Sequence, residues 1–227
     1  MKYPHVLGEL DTLRLVSGGR SLARYGDGEF NLCRGARAKA QSFHVKLSWR
    51  LQATLHYPGD CLIGIPNLHS LTPKGEFWDK YRETGAGLLS FHQYVSAFVT
   101  RPDSAPWIDT PEYWALVESL WLGQRVTLVR GNARSLTAAD LHGADVTEVI
   151  GPAEDAWGQY DYLLKVVLAT KPTRVLLCLG PTATVMAVDL CAKGIYAIDA
   201  GHLGMFWRKH RRGEDVTVRT EADKVAV

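Results

Sequence analysis

Two acidic residues in a glycine-rich segment are the first candidates for chemistry. Asp27 and Glu29 are two positions apart in RYGDGEF, residues 24–30. In an extended segment both carboxylates would project from the same face. Neighbouring carboxylates repel each other unless a proton or a cation lies between them, and Mg²⁺ and Mn²⁺ prefer such oxygen ligands. Flanking Gly26 and Gly28 would let the backbone turn closely around a ligand. The segment is either a divalent-metal site or a polar turn with solvated acids.

A short turn after an apolar run is the second candidate. It consists of Gly180, Pro181, Thr182, Ala183 and Thr184 (GPTAT). A helix that begins at Thr182 would offer free backbone N–H groups, the positive end of its dipole and two threonine hydroxyls, which together suit a diphosphate. The alternative is an ordinary strand–helix corner with Thr182 as the N-cap. The turn matches neither the P-loop nor the dinucleotide-binding pattern, so ATP hydrolysis and NAD chemistry lose support.

One histidine and two arginines are the remaining candidates. His202 closes the segment DAGH at 199–202, where it could bind a metal or a phosphate, or transfer a proton. Arg101 and Arg134 carry guanidinium groups, which bind phosphate oxygens through paired hydrogen bonds. Each of the three has a plain alternative as a packed or solvated side chain. The basic run at 208–212 is interpreted as a solvated tail segment.

Short apolar runs alternate with helical patterns, and these elements must position the candidate residues. Strands are predicted at 61–65, 125–129, 146–150, 175–179 and 195–198. Helices are predicted at 111–122, 136–141, 153–170 and from the GPTAT turn to 193. Strand–helix–strand units of this length form parallel sheets. The predicted fold class is therefore α/β, an open, mostly parallel, Rossmann-like sheet flanked by helices. Ligands bind at the carboxyl ends of such strands, so the loops at Gly131, Gly180 and Asp199 should share one edge.

Length and composition set the remaining limits. A chain of 227 residues suits a single domain, with a core at about 20–205 and a basic tail at 206–227. The net charge of +2 gives no general attraction to nucleic acid. The four cysteines form no CxxC pair, and buried free thiols are typical of a reducing compartment. Neither a signal peptide nor a membrane span is recognised, so a cytoplasmic location is predicted.

Several segments in the same order resemble the GT-D-type glycosyltransferases, a bacterial family first known as a domain of unknown function. RYGDGEF is similar to the family's Arg-aromatic-Gly-Asp-Gly-Glu signature, which contains its DxE motif. LGPTATVMAVDL, a following glycine and DAGH are similar to the family's carboxyl-terminal strand–helix–strand segment. FVTRPDS, SLWLGQRVTLVRG and EDAWGQYD are weaker similarities. The resemblance extends from about Ser21 to His202.

The resemblance implies a metal-dependent glycosyltransferase. Such an enzyme would move a hexose from a nucleotide-sugar donor, expected to be a UDP-sugar, to a saccharide or another hydroxyl acceptor, with Mn²⁺ or Mg²⁺ as cofactor. The expected catalytic and metal-binding residues are Asp27, Glu29 and His202. The expected donor-binding residues are Arg24, Gly26, Arg101, Arg134, Gly180, Pro181, Thr182, Ala183 and Thr184. Asp27 is the candidate base for the acceptor hydroxyl if Glu29 holds the metal more directly.

Two departures from the family pattern leave alternatives open. SLTAADL follows Arg134 where an acidic, glycine-rich stretch is expected, and LGMFW follows His202 where acidic and aromatic residues are expected. The chain is alternatively a non-catalytic nucleotide-binding module, a phosphate-ester hydrolase, or a glycosyltransferase that acts on a modified DNA base. The hydrolase patterns GxSxG and HExxH are absent. The expected acceptor is a glycan or glycoprotein, and a homo-oligomer is compatible with the sequence.

Overall fold

The fold is built on one parallel sheet. The computed structural model describes residues 3–68, 75–90, 93–220 and 223. Within these residues eight strands form the sheet, in the order β1-β4-β3-β2-β8-β7-β5-β6, and every strand pair is parallel. The strands are β1 (Val6–Leu7), β2 (Leu22–Arg24), β3 (Leu62–Ile65), β4 (Tyr94–Ser96), β5 (Arg125–Arg130), β6 (Asp145–Ile150), β7 (Arg174–Cys178) and β8 (Tyr196–Asp199). The predicted open, parallel α/β sheet is confirmed.

Helices provide most of the crossovers that parallel strands require. They are α1 (Glu9–Ser17), α2 (Asp27–Cys33), α3 (Val45–Leu55), α4 (Gly75–Ala86), α5 (Pro111–Ser119), α6 (Tyr160–Ala169), α7 (Pro181–Cys191) and α8 (Leu203–Arg211). Nine of the eleven residues of α7 are buried, because this helix packs against β2, β7, β8 and α3. No helix in the described part of the chain has the length and apolar character needed to cross a bilayer.

The five predicted strands are confirmed to within one residue at each end. The helix predicted at 153–170 begins only at Tyr160 and follows a separate 3₁₀ turn, Ala156–Gln159. Asp155 causes this break, because its backbone is left-handed with a φ of 53° and its carboxylate accepts the N–H of Ser42 at 2.6 Å. The helix predicted at 136–141 is likewise only a 3₁₀ turn, Ala138–Asp140.

The extended conformation expected around Asp27 and Glu29 is wrong. Both residues lie in the first turn of α2, with Gly26 as the N-cap. The N–H of Gly26 donates to Oε2 of Glu29 at 2.7 Å, so the glutamate satisfies an amide at the helix start. Residues two apart on a helix point about 200° away from each other. The two carboxylates therefore do not share a face in the way that a strand would require.

The solvated tail segment predicted at 208–212 is only partly correct. Arg211 and Arg212 are exposed, but the run lies at the end of α8, where Trp207 and Lys209 are buried. The ammonium group of Lys209 lies 2.6 Å from the carboxylate of Asp223 and holds the following chain against the helix. Residues 221, 222 and 224–227 of the predicted tail lie outside the described residues.

Gly204→Ala is expected to destabilise the protein, because α8 packs directly on the loop after β5. A Cβ at position 204 would lie 2.3 Å from the carbonyl oxygen of Ser135, a backbone atom that cannot easily move aside. Overpacking of this kind costs about 1–3 kcal/mol of unfolding free energy. Urea unfolding measures the loss, with Gly158→Ala as the control because a Cβ there meets nothing within 4 Å. Equal stability of Gly204→Ala and the parent protein would contradict this packing.

Candidate functional site

An open cleft lies at the carboxyl ends of the central strands. It encloses about 1120 Å³ when the space at its open mouth is included. Gly180 and Asp199 both line it, as expected for loops that share one edge of a parallel sheet. Nine of the twelve predicted site residues line this cleft: Arg24, Gly26, Asp27, Glu29, Arg101, Arg134, Gly180, Pro181 and His202.

Arg24, the last residue of β2, clamps the strand ends together. Its Nε donates to the carbonyl of Asp199 at 2.7 Å and its Nη1 donates to the carbonyl of Ala97 at 3.0 Å. Its Nη2 lies 3.3 Å from Oδ1 of Asp199. Gly201 leaves room for this guanidinium, since a Cβ there would lie 1.9 Å from Nη2. Arg24 thus orders the wall of the cleft, and its contact with a donor stays a prediction.

Two carboxyl groups on this side of the cleft, those of Glu29 and Asp199, have raised pKa values. Burial raises the pKa of Glu29 to about 7, with a contribution from the nearby carboxylates of Asp199 and Asp27 and against the opposing N–H of Gly26. Burial also raises the pKa of Asp199 above its ordinary value, although Arg24 and the hydroxyl of Thr184 oppose the rise. A cation bound beside these groups would relieve both effects.

Two further arginine side chains, Arg101 and Arg134, line another part of the same cleft. Arg101 binds Asp103 through two hydrogen bonds, Nε to Oδ1 at 2.7 Å and Nη2 to Oδ2 at 3.0 Å. Arg134 is 6% exposed, and its Nε has no hydrogen-bond partner among the residues that the structure describes. Burial lowers the pKa of Arg134, and the charge of Arg101 lowers it further. Among the described residues no carboxylate forms an ion pair with Arg134, so its charge is left for an anion that enters the cleft.

His202 lies among these arginines. Burial lowers its pKa well below the ordinary value, and the positive charges of Arg101, Arg134, Arg219 and Arg24 add to the effect. The imidazole is therefore neutral near pH 7. A neutral imidazole can donate one hydrogen bond to a phosphate oxygen or ligate a metal.

The GPTAT turn only partly meets the prediction. The helix begins one residue earlier than expected, at Pro181, and Gly180 precedes it with a φ of 57° that favours glycine. Pro181 has no N–H, and the N–H of Ala183 is bonded to the carbonyl of Gly180, so fewer amides are free than predicted. Thr182, Ala183 and Thr184 are buried behind the cleft.

The two threonine hydroxyls of this turn bind the protein itself. That of Thr182 donates to Oε1 of Gln41 at 3.4 Å, and that of Thr184 donates to the carbonyl of Arg24 at 2.9 Å. Thr184 also lies 3.3 Å from Oδ2 of Asp199. The hydroxyls therefore hold the turn in place, and the residues of GPTAT that face the cleft are Gly180 and Pro181.

Some features of the cleft have weak sequence signals or none. Asn132 accepts the N–H of Arg134 at 3.0 Å, a local turn that the segment RGNAR could have indicated. Trp78 and Phe98 line the cleft with ring centroids 5.2 Å apart. Arg219 reaches the neighbourhood of His202 only through the fold. No spacing pattern connects these last three residues with the acidic motif.

The donor atoms fit a metal that is shared with a ligand. In the described part of the chain, no three His, Cys, Asp or Glu side chains come together as a ready-made metal site. Asp27 and Glu29 nevertheless both line the cleft, and Glu29 experiences the negative charge of Asp27. Mg²⁺ is commonly held by one or two carboxylates together with substrate phosphates and water. The two carboxylates suit that mode of binding.

Known proteins are similar to this chain in sequence and in fold. A family model described as "Glycosyltransferase GT-D fold" matches residues 22–227. The probable glycosyl transferase Gly of Streptococcus gordonii is 29% identical over 208 residues, which are 83% of this chain and 30% of that protein. The glycosyltransferase GlyD of Streptococcus pneumoniae serotype 4 is 24% identical over 90% of this chain and 27% of its own length. The chain thus spans less than a third of these curated relatives.

Solved structures share the architecture. One, described as the highly conserved domain of unknown function 1792 with a distinct glycosyltransferase fold, superposes with a TM-score of 0.84 and 29% identity over 96% of this chain and 85% of that chain. A second, described as a new glycosyltransferase (DUF1792) from Streptococcus sanguinis, has a TM-score of 0.80 and 24% identity over 95% of this chain and 88% of that chain, and supports the fold alone. Because the family model covers nearly the whole chain, the protein belongs to the family of glycosyltransferases with the GT-D fold.

Proposed function

We propose that the cleft transfers a hexose from a UDP-sugar to a hydroxyl acceptor with the help of a divalent metal. The observation that carries the proposal is the division of charge in one cleft. Glu29 is a buried carboxyl group whose pKa is raised beside Asp27 and Asp199, so a cation would favour its ionised form. Arg134 is a buried cation that forms no ion pair with a carboxylate of the described residues. A metal-bound diphosphate satisfies both requirements at once.

Arg134 and Arg101 are assigned to the diphosphate. Arginine binds phosphate oxygens with paired hydrogen bonds, and these contacts are stronger in a cleft with little water. His202 adds a neutral N–H donor beside them. The positive charges that lower its pKa also oppose a metal ion at its ring nitrogen, so a phosphate contact is favoured over the predicted metal contact.

Asp27 and Glu29 are assigned to the metal, predicted to be Mn²⁺ or Mg²⁺. When bound, the metal would neutralise charge on the diphosphate leaving group. Glu29 is fixed by the N–H of Gly26 at the start of α2, so its carboxylate is oriented before any ligand arrives. Trp78 and Phe98 form an apolar wall of the cleft, which suits the face of a nucleobase or a sugar ring.

The transfer step follows from this arrangement. An acceptor oxygen forms a bond to the anomeric carbon, the bond from that carbon to the diphosphate breaks, and UDP leaves with the electron pair. Arg101 and Arg134 stabilise the negative charge that develops on the diphosphate, and such a contact is typically worth about 3–4 kcal/mol of barrier. Asp27 is the candidate for accepting the acceptor's proton if Glu29 holds the metal more directly. The acceptor class, a glycan or glycoprotein, stays a prediction.

A thermal-shift screen of nucleotides and nucleotide sugars tests the proposal first. UDP or a UDP-sugar with Mn²⁺ is expected to raise the melting temperature, and less so without the metal. A ligand at 100 times its dissociation constant adds about 2.7 kcal/mol of stability, which is readily seen. Glu29→Gln should lose the metal-dependent part of the shift and nearly all donor turnover. A folded protein that responds to no nucleotide in the presence of metal would contradict the proposed function.

Arg134→Gln is expected to weaken UDP binding without lowering stability. The loss should be about 1.5–3 kcal/mol, or roughly ten- to a hundredfold in the dissociation constant, because a charged hydrogen-bond donor to phosphate is removed. The free protein should remain as stable as its parent, since burial and Arg101 already disfavour this charge. Titration calorimetry measures the affinity. Arg125→Gln, at the opposite end of β5, is the control and should leave UDP affinity unchanged.

The raised pKa of Glu29 predicts an unusual dependence of stability on pH. Between about pH 5 and 7 the folded protein retains a proton on Glu29 that the unfolded chain has lost, so stability falls as the pH rises. The fall attributable to this group is on the order of 2–3 kcal/mol. Mn²⁺ requires the ionised carboxylate, so stabilisation by the metal should grow over the same range.

Melting curves of the parent protein and Glu29→Gln, recorded across this pH range with and without Mn²⁺, measure these effects. The difference between the two proteins isolates Glu29 from Asp199, whose pKa is also raised. If the melting temperatures of the two proteins changed in parallel over the whole pH range, the prediction of a raised pKa for Glu29 would be contradicted.

A further inference from the structure

Arg101 shares its acidic partner with a second arginine. Nε of Arg219 lies 2.8 Å from Oδ2 of Asp103, the same oxygen that accepts Nη2 of Arg101. The side chain of Asp103 is fully buried, and each arginine side chain is 20% exposed. Two guanidinium charges therefore meet one carboxylate, and the trio of Arg101, Asp103 and Arg219 carries a net charge of +1.

Arg219 belongs to the carboxyl-terminal segment, defined here as residues 213–220. Gly213 reverses the chain after α8 with a φ of 69°, and Val216 is buried. Lys209 of α8 donates to the carbonyl of Val218 at 2.8 Å, next to Arg219. The guanidinium of Arg219 lies 5.6 Å from the ring centre of Phe206. The segment is thus fixed by contacts of its own, independently of Asp103.

A purely structural role explains Arg219 poorly. Burial lowers its pKa to about 10, and the charges of Arg101 and Arg134 contribute to the lowering. Its Nε and Nη2 are both buried without a hydrogen-bond partner in the described part of the chain, so Arg219 meets Asp103 as an ion pair and not through an aligned hydrogen bond. A buried, incompletely satisfied cation beside two others costs stability, and a neutral side chain would avoid that cost. Side chains that are costly in this way are concentrated at functional sites.

We propose that Arg219 is a positioning residue of the donor site. Arg219 shares the carboxylate of Asp103 with Arg101 and so leaves the charge of Arg101 available to the donor's diphosphate. The inference rests on the proposed function. Arg101 lines the cleft whereas Arg219 does not, so Arg219 acts through Asp103. Without Arg219, Asp103 would hold the guanidinium of Arg101 alone, and Arg101 would bind a diphosphate less strongly.

The test is the affinity of the full chain for UDP with Mn²⁺, measured by titration calorimetry. Arg219→Gln should weaken binding roughly tenfold, about the loss of one charged hydrogen bond between Arg101 and the diphosphate, because Asp103 would then hold Arg101 alone. Arg219→Lys keeps the charge and should recover most of the affinity. Arg212→Gln is the control, because Arg212 is exposed and its ion pair is with Glu214, two residues further along the chain.

A double-mutant cycle separates this role from simple loss of structure. In the background of Arg101→Gln, Arg219→Gln should change the affinity by less than about twofold, because its effect passes through Arg101. An equal loss in both backgrounds, or a loss that Arg219→Lys does not recover, would overturn the proposal. A parent protein that binds UDP while Arg219→Gln binds it equally well would overturn this proposal alone. A parent protein that binds no nucleotide would overturn the proposed function and this inference with it.

Discussion

The buried ion pair between Arg24 and Asp199 is the contact on which the arrangement of the cleft depends. It joins the ends of β2 and β8, the two adjacent central strands, and Arg24 extends the connection to the residue after β4. Thr184 adds α7 through hydrogen bonds to both partners. A buried pair offsets its loss of hydration only when further hydrogen bonds complete it. Here those bonds come from the elements whose ends form the cleft, so one network fixes the site.

The same pair determines how charge is divided. Arg24 is directed at Asp199 and at carbonyl groups, so it does not neutralise Asp27 or Glu29. Asp199 in turn raises the pKa of Glu29. Among the described residues Arg134 has no acidic partner, and Arg101 shares Asp103 with Arg219. The cleft is therefore left with unmet negative charge around α2 and unmet positive charge around His202, which is the basis for proposing a metal-bound diphosphate.

Local patterns predicted those parts of the structure that depend on local sequence. β7, α7 and β8 follow from an apolar run, a helix start and a glycine stop within one stretch, and nine cleft residues followed from motif and family resemblance. β2 has three residues, too few for a periodic signal. The sequence did not indicate the helix start at Asp27, because the flanking residues Gly26 and Gly28 are typical of turns. Arg219 is distant in sequence, and only tertiary packing brings it to Asp103.

The two departures from the family pattern pack against each other. Gly204 lies against the backbone of Ser135, and Nε1 of Trp207 donates to the carbonyl of Asp140 at 3.0 Å. Arg208 is 2.5 Å from the carboxylate of Asp140. The altered segment after Arg134 and the altered start of α8 thus form one interface, which supports the loop that carries Arg134. The guanidinium of Arg134 remains in the cleft beside this interface, so the departures are weak grounds for inferring that a donor site has been lost.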